Sequence, residues 1–152
     1  MIKKLYAIWV MVFVSVLAGS AYADEPIYTG MLTDEAVSGY DTVAYFTDGK
    51  AVKGKEAFKF NFKGAEWRFA SQANMEAFKA EPEKYMPQYG GYCAWAMARG
   101  HTAASNPEFW SIIDGKLYLN YNAEVKMKWE KQTPMFIKDA DKKYPEVVDL
   151  EE

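Results

Sequence analysis

The 152-residue sequence contains one cysteine, Cys93, and one histidine, His101. A lone cysteine cannot close an internal disulfide, so an exported form of this chain must be held together by packing. A lone histidine restricts acid–base chemistry. A nucleophile–histidine–acid set could be imagined from Cys93, His101 and Asp114, but nothing in their spacing demands it. The HExxH string, the P-loop and the glycine-rich dinucleotide fingerprint are missing. So are internal repeats, low-complexity runs and a Pro- or Ser-rich linker. The apolar run over residues 5–18 falls short of the roughly 18 residues expected of a membrane span. These gaps weigh toward a binding module and against an enzyme.

What is present begins with an address. Lys3 and Lys4 precede the apolar run, and Ala21 and Ala23 flank Tyr22 in a small-x-small cleavage pattern. Residues 1–23 read as a signal peptide cut after Ala23. No cysteine sits near the cut to carry a lipid, so the expectation is a periplasmic or secreted protein with no stable membrane anchor after cleavage. Cleavage removes two lysines and no acid, which leaves 129 residues and moves the net charge from −3 to −5. That length suits one compact domain. That charge argues against nucleic acid and against anionic membranes as partners. The expected organisation is a lead-in over 24–35, one domain with C-terminal helices over 36–142, and an acidic tail over 143–152. The lead-in reads as loose and the tail as fraying.

Periodicity gives an α+β reading: antiparallel hairpins packed against short helices. Residues 31–37 read as a short helix, and residues 43–46 as a short buried strand. Phe58, Phe60 and Phe62 alternate with polar residues, as do Trp67 and Phe69, and a Gly64-containing link joins the two runs as a hairpin. Ser71 reads as the N-cap of a helix carrying Met75 and Phe78. Pro82 opens a further short turn. Residues 109–113 and 117–121 flank an Asp114-Gly115 hairpin signal. Residues 122–131 read as a helix that buries Val125 and Trp129. Thr133 and Pro134 read as the cap and first turn of a last helix over 135–142.

The stretch from Ala57 to Trp95 resembles the YHS domain family. The match rests on Gly64, Trp67, Phe69, Ser71, Phe78 and the Glu81-Pro82-Glu83-Lys84-Tyr85 string. A wider set resembles a secreted bacterial subgroup of that family: Gly39-Tyr40-Asp41, Val43 to Phe46, Gln88 to Ala94, and Gly115 to Tyr121. The resemblance spans roughly residues 36–130. It implies a small α+β fold and, from metal-handling relatives, a pair of cysteines just after the second strand and four residues on. Those positions here are Ala70 and Asn74, and neither supplies the thiolate that soft metals favour.

The sequence offers one other soft set. If residues 92–99 are helical, Cys93 and Met97 share a face, with His101 just past Gly100. Thiolate, thioether and imidazole would suit Cu(I), whereas Zn(II) usually wants four ligands and a structural zinc site is disfavoured. Met75 or Met86 could add a further sulfur. Three readings of Cys93 stay open: a buried structural thiol, a metal or tetrapyrrole ligand, and a reactive thiol. Tyr40, Asp41, Tyr45, Tyr92 and Trp95 are candidates to line a small-ligand pocket, with Asp41 as either a turn cap or a ligand acceptor. The functional expectation is a non-enzymatic exported binding module for a soft metal such as copper or for a small ligand. The alternative is a thiol-dependent redox protein or enzyme using Cys93.

Overall fold

The computed structural model describes residues 23–150, so the expected signal segment up to Tyr22 lies outside the described residues. Six α-helices and two antiparallel hairpins make an α+β domain. In chain order they are α1 (Thr42–Thr47), β1 (Lys55–Phe62), β2 (Ala65–Phe69), α2 (Gln72–Ala80), α3 (Pro82–Tyr85), α4 (Ala94–Met97), β3 (Asn106–Ile113), β4 (Lys116–Asn120), α5 (Ala123–Glu130) and α6 (Thr133–Val147). Each hairpin turns through two residues of positive φ, Lys63–Gly64 and Asp114–Gly115. That backbone twist matches the twist of the flanking strands.

The first hairpin behaves as its alternation predicts. Trp67 and Phe69 are buried, and Phe78 of α2 packs against both, with ring centroids 4.9 and 5.1 Å away. Phe60 and Phe62 of β1 meet the same ring edge-on at 6.4 and 6.0 Å. Ser71 caps α2, its hydroxyl accepting the Asn74 N–H at 3.1 Å.

Strand β4 divides two apolar clusters. Its alternation sends Leu117 and Leu119 into the cluster around Val43, Tyr45, Trp67 and Phe78. Tyr118 enters a second cluster with Tyr89, Tyr92, Met97, Trp129 and Ala140. Parallel bridge pairs, Pro87 with Leu117 and Cys93 with Leu119, lay residues 87–93 alongside β4. This places Cys93 between Gly90–Gly91 and α4.

Four local expectations are corrected. Residues 43–46 lie in helix α1, not in a strand. Residues 42–45 are all buried, so an apolar run there carries no period, and the Asp41 side chain decides the matter by capping two amides. Residues 31–37 form no α-helix. Thr29 pairs with Ala36 and Glu35 with Glu66, and a single 3-10 turn follows at Val37–Gly39. The helical reading of 92–99 shortens to α4, with Cys93 at its N-cap. Helix α6 starts after a Gln132 cap rather than a Thr133 cap and runs on through Pro145 to Val147. A proline near a C-terminus loses only one helical hydrogen bond, so the helix survives it.

The lead-in is also pinned rather than loose. Asp24 and Val148 pair, and the Asp24 carboxylate accepts from Thr102 at 2.5 Å. The Tyr92 hydroxyl donates to Glu25 O at 2.9 Å and that of Tyr144 to Pro26 O at 2.7 Å, while Tyr28 N–H donates to Gly90 O at 2.9 Å.

Candidate functional site

Asp41 is fully buried, and its carboxylate is a hub. Oδ1 accepts the amides of Val43 (2.9 Å) and Ala44 (3.2 Å), which caps α1. Oδ2 accepts the Ala70 amide (2.8 Å) and Asn74 Nδ2 (2.7 Å). One carboxylate therefore ties α1 to the end of β2 and the first turn of α2. Ala70 and Asn74 are the two positions where metal-handling relatives are expected to carry cysteine. Here the Ala70 side chain has no ligand atom, its backbone amide donates to Asp41, and the Asn74 side chain turns its N–H toward the same carboxylate. A second buried polar group lies next to Asp41: the Thr42 hydroxyl has no protein partner.

Cys93 is 1 % exposed and Met97 0 %. Met97 N–H donates to Cys93 O at 3.0 Å, which closes one turn between them. The thiol contacts Asn120 Oδ1 at 3.7 Å, a sulfur-length hydrogen bond. The same oxygen accepts Trp95 N–H at 3.2 Å, which fixes the amide's orientation and leaves Asn120 Nδ2 buried without a protein partner. Sequence reading missed Asn120. Its signal would have been a polar residue directly after the Leu117-Tyr118-Leu119 run of β4. His101 is exposed beyond the Gly100 turn, so the structure buries the two sulfurs and leaves the imidazole at the surface. Met86, one of the spare sulfurs, is buried in the first apolar cluster, and Met75 is partly buried against it. Among the described residues no three His, Cys, Asp or Glu side chains converge as a metal cluster.

The five pocket candidates are dispersed. Asp41 and Tyr45 have almost no surface. The Tyr45 hydroxyl donates to Pro107 O at 2.8 Å, and burial, with Glu108 nearby, drives its pKa far up. Tyr40 is partly exposed and bonds Glu108 at 3.2 Å; burial and that carboxylate raise its pKa. Trp95 carries the Arg99 guanidinium over its ring. Tyr92 alone of the five lines one of the two described clefts, a cavity of ≈ 220 Å³ walled by Asp24, Tyr28, Met31 and Thr102. Burial, with Asp24 next in effect, pushes the Tyr92 phenol up to about 12. The other cleft, ≈ 180 Å³, lies between Ile27, Lys63, Glu83, Met86, Tyr89 and Tyr144.

Gly90 and Gly91 both take a positive φ, +60° and +89°. A Cβ on Gly90 would lie 1.8 Å from Pro26 O. The close approach it permits is that of the chain's own lead-in.

The family model of the YHS domain matches residues 43–89. The matched stretch runs from α1 through α3 to Tyr89. It stops short of Cys93, Met97 and His101, and it begins two residues after Asp41. No curated protein and no solved structure matches the chain.

Proposed function

We propose that this chain, which carries a YHS domain over residues 43–89, is an exported non-enzymatic binding module for a soft metal ion or a small ligand. For the metal, Cu(I) as cargo suits the donor set of Cys93 and Met97. The observation that carries this is the setting of the thiol: Cys93 and Met97 are both buried, and the Met97 N–H to Cys93 O bond places the two sulfur-bearing residues one turn apart. Two soft ligands suffice for Cu(I), and a dry site favours them over water. Binding would replace the thiol proton, so uptake is coupled to release of one proton. His101, at the surface, is outside the set. The redox reading needs an exposed thiolate, and the 1 % exposure of Cys93 favours the binding reading over it. The Asp41 hub takes no part in ligation; it fixes the domain on which residues 87–97 rest.

Anaerobic Cu(I) titration against a competing chelator tests the proposal. Wild type and His101→Ala should each take up one equivalent, and Cys93→Ser should not. Equal retention in Cys93→Ser would remove Cys93 from the site. No uptake in wild type would end the metal reading.

A further inference from the structure

The chain is acidic, and many of its cations sit in ion pairs. Arg68, one of only two arginines, is held by Glu35 at 2.8 Å and Glu66 at 2.7 Å. Lys59, Lys63, Lys79, Lys84, Lys126 and Lys128 each meet a glutamate. Arg99 does not, although its guanidinium is more firmly placed than most. Its central carbon lies 3.4 Å from the Trp95 ring centroid and 5.5 Å from that of Phe136, and Nη1 donates to Trp95 O at 3.3 Å. Stacking fixes the plane of the fork and leaves most of its edge donors free.

Lys143 of α6 reaches the same turn. Its Nζ donates to Ala98 O at 3.1 Å, and its stem crosses Gly100, where a Cβ at φ +83° would lie 3.3 Å from Lys143 Cδ. The ammonium covers a carbonyl at the negative end of α4 and keeps two further donors. None of the ion pairs observed among the described residues includes Arg99 or Lys143.

We propose that Arg99 and Lys143 form an oxyanion site, on the platform of Trp95 and Phe136, for a small ligand bearing a carboxylate or phosphate group. The two cations bond carbonyls three residues apart on one turn, Trp95 O and Ala98 O, and a stacked guanidinium fork recognises such a group with two parallel hydrogen bonds. This site is separate from the buried sulfurs, and it stands or falls without them.

The test is nuclear magnetic resonance on the folded, isotope-labelled chain. Sodium succinate and inorganic phosphate are titrated in turn at constant ionic strength, and the Arg99 Nε–H and Trp95 Nε1–H signals are followed. A saturable shift with either anion is expected, and whichever binds more tightly assigns the oxyanion. Arg99→Lys keeps the charge and loses the fork, so it should weaken binding by at least about fivefold. Lys143→Gln should weaken it about threefold, and Lys53→Gln, a cation placed over Tyr40, should leave it unchanged. The signals of the rest of the domain report folding in each variant. Shifts that do not saturate, an affinity unaltered in Arg99→Lys, or an equal loss in Lys53→Gln would overturn the site.

Discussion

Asp41 shows how much one residue can decide. It has four donors and no access to water, so truncation strands amides at two helix ends. Losing a helix cap costs about 1 kcal/mol, and each stranded buried donor about 1–3 more. With one cap and two further donors on Oδ2 lost, Asp41→Ala should therefore lower stability by about 3 kcal/mol or more in urea unfolding. Asn74→Ala removes one bond and should cost only about 1 kcal/mol. Half of this was legible, since an Asp just ahead of an apolar run is a natural cap. The other half joins residues 29 and 33 positions apart, which no local pattern displays. Cys93 makes the same point. A cysteine among small residues reads equally as core, ligand or reactive thiol, and only the parallel pairing of Cys93 with Leu119 brings it beside Asn120.

Among elements, those with a strong period and a cap were legible. The first hairpin, α2, the second hairpin and α5 stand where alternation, Ser71, Asp114-Gly115 and the Val125–Trp129 spacing place them, with Asn122 the cap of α5 rather than its first residue. Residues 43–46 were misread because a short segment buried on every side has no period to distinguish strand from helix. The lead-in was misread because its partners are distant tyrosines and a distant glycine. Its attachment gives a prediction. Gly90→Ala combines a left-handed backbone, φ +60°, with a collision at Pro26 O. It should cost about 2 kcal/mol or more. It should also release the lead-in first. Amide exchange at Tyr28, whose N–H bonds Gly90 O, should rise well before exchange at Trp67 or Leu119. Parallel changes at all three sites would count against a local strap.

On the scale of the whole molecule, tyrosine burial sets the alkaline limit. Tyr92, Tyr118 and Tyr144 are each pushed up to about 12, mainly by burial and then by nearby carboxylates, and Tyr45 and Tyr89 go further in the same direction. The folded chain thus holds phenol protons that the unfolded chain gives up near pH 10. This contribution is complete below pH 10 and is lost as pH rises through the folded values, so the urea midpoint should fall steeply between pH 10 and 12. At the acid end Glu66 works in the opposite sense. Its hydrogen bond with Arg68, aided by Lys59, holds its carboxyl below the usual range. That stability is present above the unfolded value near 4.5 and fades as pH falls through the folded one, so Glu66→Gln should flatten the acid limb.

The buried sulfurs are the centre of the functional account, and the ligands themselves are its most direct test. X-ray absorption at the copper edge, on the chain carrying one equivalent of Cu(I), reads them without reference to activity. The account predicts a first shell of sulfur alone, from Cys93 and Met97, with one sulfur fewer in Met97→Leu and no change in His101→Ala. Copper that stays on the chelator would contradict it, as would a nitrogen in the shell that disappears in His101→Ala.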